Sequence, residues 1–335
     1  MDQVSQQTNP DLRGHGHDAG VSIESSFAVW QLTEPARFVE FSQEGSGTRR
    51  DRFVLRLKKE DGVTSGGSIT PSGWEMVDEG WGRKAVDFST LSEPGNCREY
   101  VALHHRLGID TGDRVLDVAC GSGLAIELAG LRGATCAGID ASARLVAVAR
   151  SRNPTCDIRV GDMHDLPWEN EAFDVATSFR GIWGTTPDAL AEIVRVLRPG
   201  GRLGLTVWGH LKVSPGAWAL APFRLATQEK VDNQGAMVSL GRPGAGESLL
   251  ESSGYVDIQR VDIPFAWEFA DPELFARALA STGPAYEAIQ NVGETEFHRA
   301  AAEQARAHHV EGLPLRAEIN VVGYLARKPQ EAPGT

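Results

Sequence analysis

The sequence predicts an α/β fold, a mainly parallel sheet with helices on both faces, preceded by a β-prone extension and carrying a helical cap or lid. Three observations predict it. The apolar stretch Arg114–Ala119 runs through Gly121, Ser122 and Gly123 into Leu124, Leu128 and Leu131 at helical spacing, so a buried strand gives way to a helix through a glycine turn. From there to Trp208, strand-like and helix-like segments alternate in the rhythm of right-handed crossovers. The 335 residues are 41% hydrophobic, enough to fill a substantial core.

Taken in order, residues 1 to about 25 are polar, without periodicity, and are expected to be disordered. Residues 27–63 are β-prone: "RFVLRLK" alternates Phe53, Leu55 and Leu57 with Arg52, Arg56 and Lys58, and "EGSGT" offers a turn, which together predict a small meander or hairpin. "TSGGSITPSG" is a linker; helical stretches are expected over about 74–91 and 96–107. Strands follow at 114–119, 135–139, 157–161, 173–178 and 202–208, with helices at 123–131, 142–151 and 187–197. Beyond Gly209 a Gly/Pro-punctuated insertion interrupts the rhythm; then come a helix at "ESLLESSGY", a strand at "VDIQRVDIPFAWEF", helices over 272–310 and a final strand at "RAEINVVGYLARK". This divides the chain into an N-terminal extension (1–70), a helical lead-in (71–107), a central core (108–210), a substrate lid (211–246) and the remainder of the sheet (247–330).

Composition removes several classes of function. A net charge of −12 gives nucleic acid or an anionic membrane no general attraction. No apolar run reaches the ~18 residues of a membrane span, and the polar start lacks the apolar centre of a signal peptide, so a cytoplasmic chain is expected. Cys97, Cys120, Cys136 and Cys156 contain no C-x-x-C pair and are expected to be buried thiols, not zinc ligands. His104-His105 and His308-His309 are sequence neighbours on expected helices, where side chains diverge, so no metal site is expected.

The chemistry collects at strand ends. Without a Cβ, backbone at Gly121 and Gly123 lets a ligand approach where α/β sheets bind cofactors. A dinucleotide turn wants a third glycine for close helix packing, and Ile126 stands there. Asp140 closes the second strand, where a carboxylate accepts both hydroxyls of a ribose; Asp162 closes the third and can accept an adenine amine, with Met163 against the ring.

Residues from about 110 to 209 resemble the class I S-adenosylmethionine-dependent methyltransferases in "DVACGSG", "GID", "GDMHDLPW", "EAFDVATS" and "IVRVLRPGGRLGLTVWG", and "GWGRKAVDFSTLSEPGNCREY" resembles the helical lead-in of actinobacterial small-molecule members. The resemblance implies a Rossmann-like sheet of seven strands, the last antiparallel, and S-adenosylmethionine as cofactor. It places Gly121, Ser122 and Gly123 along the methionine portion with Asp117 orienting its amino group, Asp140 on the ribose, Asp162 and Met163 on the adenine, and Ser178 with the rest of "SFRGIW" facing the sulfonium.

A methyl on a sulfonium is already activated, so holding an acceptor in line does most of the work, and only a weakly acidic hydroxyl needs a base. His210 and His164, each just beyond a strand end, are the candidates, His164 being expected to turn toward solvent. Arg180 can bind an acidic group of the acceptor or pair with Asp174; Trp81, Trp183 and Trp208 can wall an apolar pocket, Trp183 foremost. Within the lid, Trp218, Leu220 and Phe223 would close over an apolar acceptor, unless the same spacing is plain core packing. The resulting reading is a methyltransferase acting on a small or medium-sized organic acceptor in natural-product metabolism. A peptide-directed enzyme using the β-prone segment, and a cofactor-binding protein or cyclisation catalyst, stay open beside it. Homodimerisation through that segment is also an expectation.

Overall fold

Val115, Leu116 and Val118 leave strand β3 (Arg114–Val118) buried on both faces, and a strand buried on both faces belongs in the middle of a sheet. The computed structural model, which describes residues 39–42, 54–57, 77–182, 187–226 and 239–330, places it there. Two units are distinguished, Met1–Ser68 and Ile69–Thr335. In the first, β1 (Val39–Ser42) pairs antiparallel with β2 (Val54–Leu57), Val39 opposite Leu57.

The second opens on α1 (Val77–Trp81), α2 (Ala85–Asp87) and α3 (Cys97–Leu107). The expected helix over 74–91 is instead broken into short helices joined by 3-10 and π turns, and Pro94 and Gly95 fall in the last of these turns, Glu93–Asn96. After β3 come α4 (Leu124–Gly130), β4 (Thr135–Asp140), α5 (Ala143–Arg152), β5 (Asp157–Val160), β6 (Phe173–Phe179), α6 (Pro187–Val196) and β7 (Leu197–Trp208). Strand β7 starts five residues before its expected start at 202: "LRPGG" lies within it, and its pairing with β6 shifts register between Phe173 and Val175. Then α7 (Ala245–Ser252), β8 (Val256–Ile263), β9 (Ala266–Phe269), α8 (Pro272–Ala280), α9 (Gly283–Val292), α10 (Glu294–Arg306), β10 (Leu315–Glu318) and β11 (Val321–Arg327) complete the chain.

Seven strands form one sheet in the order β5-β4-β3-β6-β7-β11-β8, parallel from β5 to β7, with β11 antiparallel to both its neighbours. The two long C-terminal strands expected from the sequence each divide. Pro264, which has no N–H for a ladder, separates β8 from β9, and β9 pairs with β10 in a ribbon of its own. On one face of the sheet Leu103, Ile126, Val146 and Ala149 of α3, α4 and α5 pack with Val115 and Cys136, in a core that continues to Phe275 and Phe297. On the other, Leu190 and Ile193 of α6 and Leu250 of α7 cover Leu116, Ile139, Leu203 and Tyr324. Each such fully buried Leu or Ile contributes about 1.5–3 kcal/mol.

Candidate functional site

The turn after β3 is set by backbone geometry. Gly121 and Gly123 both have positive φ, +55° and +80°, where glycine is favoured. They serve different ends. A Cβ on Gly121 would meet only Phe88 Cε1 at 3.6 Å and Glu93 Oε1 at 3.8 Å, whereas one on Gly123 would lie 2.8 Å from both Ala149 Cβ and Asn153 Nδ2 of the α5 region. On its Cβ side, Gly123 therefore admits the packing of the α5 region. The missing third glycine is also explained: Ile126 fits because Gly138, on β4, leaves room, a Cβ there falling 2.5 Å from Ile126 Cδ1.

Three carboxylates gather around this turn. Asp140 Oδ2 accepts from the Gly121 N–H and Oδ1 from the Ser142 N–H, both at 2.8 Å, so it ties the glycine turn to the start of α5. Asp117 accepts from Thr177 Oγ1 on the adjacent strand at 2.7 Å. Burial, with added repulsion from Glu93 and Asp140, pushes its pKa up to about 7 against the Thr177 hydrogen bond. Glu93, from the lead-in, accepts from Ser122 Oγ and from the Leu124 N–H at 3.3 Å, and pairs with Arg152 at 2.6 Å. Burial raises its pKa, and the Ser122 and Arg152 contacts work against that rise. Ser122 thus donates its hydroxyl to Glu93.

At the third strand end, Asp162 Oδ1 accepts from the His164 N–H at 2.9 Å and stands 2.6 Å from His164 Nδ1. Met163 is half-buried against the second core. Ser178 is buried near the end of β6, and its Oγ is without a hydrogen-bond partner, an unusual state for a buried hydroxyl. Gly181 brings the following turn close, since a Cβ there would fall 2.8 Å from that Oγ.

Beyond β6 and β7 the site turns aromatic. Arg180, at φ +55°, pairs with the fully buried Glu99 at 2.8 Å and lies over the rings of Trp208 at 4.6 Å and Phe265 at 4.8 Å. The expected alternative partner, Asp174, is instead paired with Arg114 and Arg198. Trp267 stands edge-on to Trp208 and Phe265, Tyr100 to Phe179, and Asn96 bridges them, donating to Tyr100 Oη and accepting from Trp267 Nε1. Glu93, Glu99, Asn96 and Arg152 were not among the expected site residues: they lie outside the glycine-turn motif, and only folding brings the lead-in onto it.

The remaining candidates are more peripheral. His210 is exposed, its N–H bonded to Asn320 Oδ1. Trp81 packs edge-on against Phe88, and Trp183 lies outside the described residues. Trp218 stacks on His308 at 4.5 Å and touches Phe275, while Leu220 and Phe223 are half-buried against the first core; their 3-10 segment, Ala217–Leu225, is tied down by Asn291 Nδ2 donating to Leu225 O. Residues 227–238 of the expected lid lie outside the described residues. Among the described residues no cluster of His, Cys, Asp and Glu is arranged to hold a metal, and no helix is long and apolar enough to cross a membrane.

The turn thus gathers three carboxylates and one guanidinium, a cluster that suits a ligand carrying positive charge. Residues 116–205 match the model of a methyltransferase domain. A demethylmenaquinone methyltransferase of Renibacterium salmoninarum is 30% identical over 148 residues, 44% of this chain and 61% of that protein. A phthiotriol/phenolphthiotriol dimycocerosates methyltransferase of Mycobacterium leprae is 33% identical over 128 residues, 36% of this chain and 47% of that protein. The matched stretches thus span about half to three fifths of these relatives. In fold, the chain is similar to one in the solved complex between the Haloferax volcanii Trm112 methyltransferase activator and a methyltransferase, with a TM-score of 0.51 at 18% identity, over 77% of this chain and all of that one. Residues 116–205 thus carry a methyltransferase domain by their match to that model, set on a seven-stranded sheet with the glycine turn at the end of β3.

Proposed function

We propose that this protein transfers a methyl group from S-adenosylmethionine to a small, largely apolar organic acceptor bearing a ring or hydroxyl, in natural-product or lipid metabolism. One observation carries the reading: neighbouring strands β3, β6 and β7 bring a cluster of carboxylates and a group of aromatic rings to the same end of the sheet. The cofactor supplies, when bound, a methyl already activated on a sulfonium. Asp140, anchored by two backbone N–H groups, keeps lone pairs for the ribose hydroxyls. Asp162 and Met163 stand at the adjacent strand end for the adenine, and Ser178 offers its unpaired hydroxyl toward the reacting end. Arg180, neutralised by Glu99, acts as a rigid support that fixes Trp208 and Phe265 as a wall for the acceptor. For an acceptor hydroxyl of ordinary acidity we assign the proton to His210, on the exposed loop after β7. The two relatives named for demethylmenaquinone and for phthiotriol dimycocerosates support an acceptor of this kind.

The test is incubation of the full chain with methyl-labelled cofactor and a panel of lipophilic phenols, quinols and alcohols, read by mass spectrometry. Label on an apolar hydroxylated acceptor is the expected result. Tight binding of S-adenosylhomocysteine with no label transferred to any acceptor, in the panel or in a cell extract, would refute it.

A further inference from the structure

The ion pair between Glu93 and Arg152 sits astride the glycine turn. Glu93 has only 2% of its side chain exposed, and its Oε1 comes within 3.8 Å of where a Gly121 Cβ would stand. Arg152 Nη1 donates to Glu93 Oε2 at 2.6 Å and to Ser122 O at 3.0 Å, and Nη2 donates to Ser89 O at 3.2 Å. One carboxylate and one guanidinium are thereby held in contact against residues 121–124, by groups from the lead-in and from the end of α5. As a device for stability alone this is a poor choice. Taking two charges out of water costs about as much as their attraction returns, and an apolar pair of the same volume would serve as well or better. As a receptor it is well matched, because the cofactor proposed above ends in an α-amino acid, a fixed ammonium and carboxylate side by side.

We propose that Glu93 and Arg152 together bind the amino-acid end of the cofactor, Glu93 accepting from its ammonium and Arg152 donating to its carboxylate. In the free protein Glu93 is held by Arg152, Ser122 and the Leu124 N–H, and Arg152 by Glu93, two backbone carbonyls and Glu127 at 3.6 Å; with a zwitterion present, Glu93 and Arg152 each gain a further partner of opposite charge. The lead-in thus becomes part of the cofactor site, and the site is complete only when Glu93 is seated. This inference rests on the proposed use of S-adenosylmethionine, and its test separates the two.

Calorimetry is run with S-adenosylhomocysteine and with 5′-methylthioadenosine, which keeps the nucleoside and lacks the amino-acid end. Glu93→Gln and Arg152→Gln should each weaken S-adenosylhomocysteine by about tenfold or more, the loss of one charge-assisted hydrogen bond, while methylthioadenosine stays within about twofold. Unchanged methylthioadenosine binding also shows that each variant is folded. For the unaltered protein, S-adenosylhomocysteine analogues lacking the amino group or the carboxylate should each bind about tenfold or more weaker. Equal weakening of both ligands by the variants, no weakening of S-adenosylhomocysteine, or indifference of the unaltered protein to the two analogues overturns the proposal. If the unaltered protein binds neither nucleoside, the cofactor reading fails first and takes this one with it.

Discussion

Replacing Asp117 by asparagine keeps an oxygen for the Thr177 hydroxyl and removes a group that titrates near pH 7. In an unfolded chain this carboxyl ionises near 3.8; in the folded protein burial, with repulsion from Glu93 and Asp140, holds it protonated to about 7. Its folded-state pKa is raised, so the folded state binds the extra proton between these values. The stabilisation is complete below about pH 4 and is lost as the pH rises through 7. At about 1.4 kcal/mol per pH unit, the loss between pH 5.5 and 7 is on the order of 2 kcal/mol, or roughly 4–8 °C in melting temperature for a domain of this size. Differential scanning calorimetry of both proteins from pH 5 to 8, without cofactor, measures it. The unaltered protein should lose those degrees relative to Asp117→Asn. Parallel melting curves across that range would show that Asp117 does not titrate there, and that burial and its acidic neighbours do not hold its proton.

Gly123→Ala tests the division of labour at the turn. Its Cβ would press on Ala149 and Asn153 at 2.8 Å from a backbone at φ +80°, so chemical denaturation should show a loss of about 1–3 kcal/mol; a variant as stable as the parent would contradict the packing role. For Trp218→Ala, loss of the stack on His308 and the contact with Phe275 should cost about 3 kcal/mol of stability. A variant that melts normally yet binds acceptor poorly would instead favour the lid.

Much of the core was legible because its causes are local. The apolar runs of β3, β4, β6 and β7 and the amphipathic spacing of α4–α6 announce a two-faced parallel sheet, and strand ends in such a sheet locate Asp117, the glycine turn, Asp140 and Asp162. Other features depend on what lies opposite in space. Ile126 reads as a departure from a glycine pattern until Gly138, twelve residues on and one strand over, is seen to leave it room. Arg180 reads as a partner for an acidic acceptor or for Asp174, yet Glu99, 81 positions earlier, takes it, since Tyr100 and His104 pack α3 against Phe179 at the end of β6.

From β3 to β7, the order of strands and helices and the residues at their tips follow from the chain alone, since hydrophobic period and glycine placement act over a few residues. The partners of the buried charges follow from packing in three dimensions. Glu93 with Arg152, Glu99 with Arg180, and Asp117 with Thr177 are separated by 59, 81 and 60 residues. A buried charge must find its counter-charge or a donor wherever packing brings one, and no local pattern records that choice.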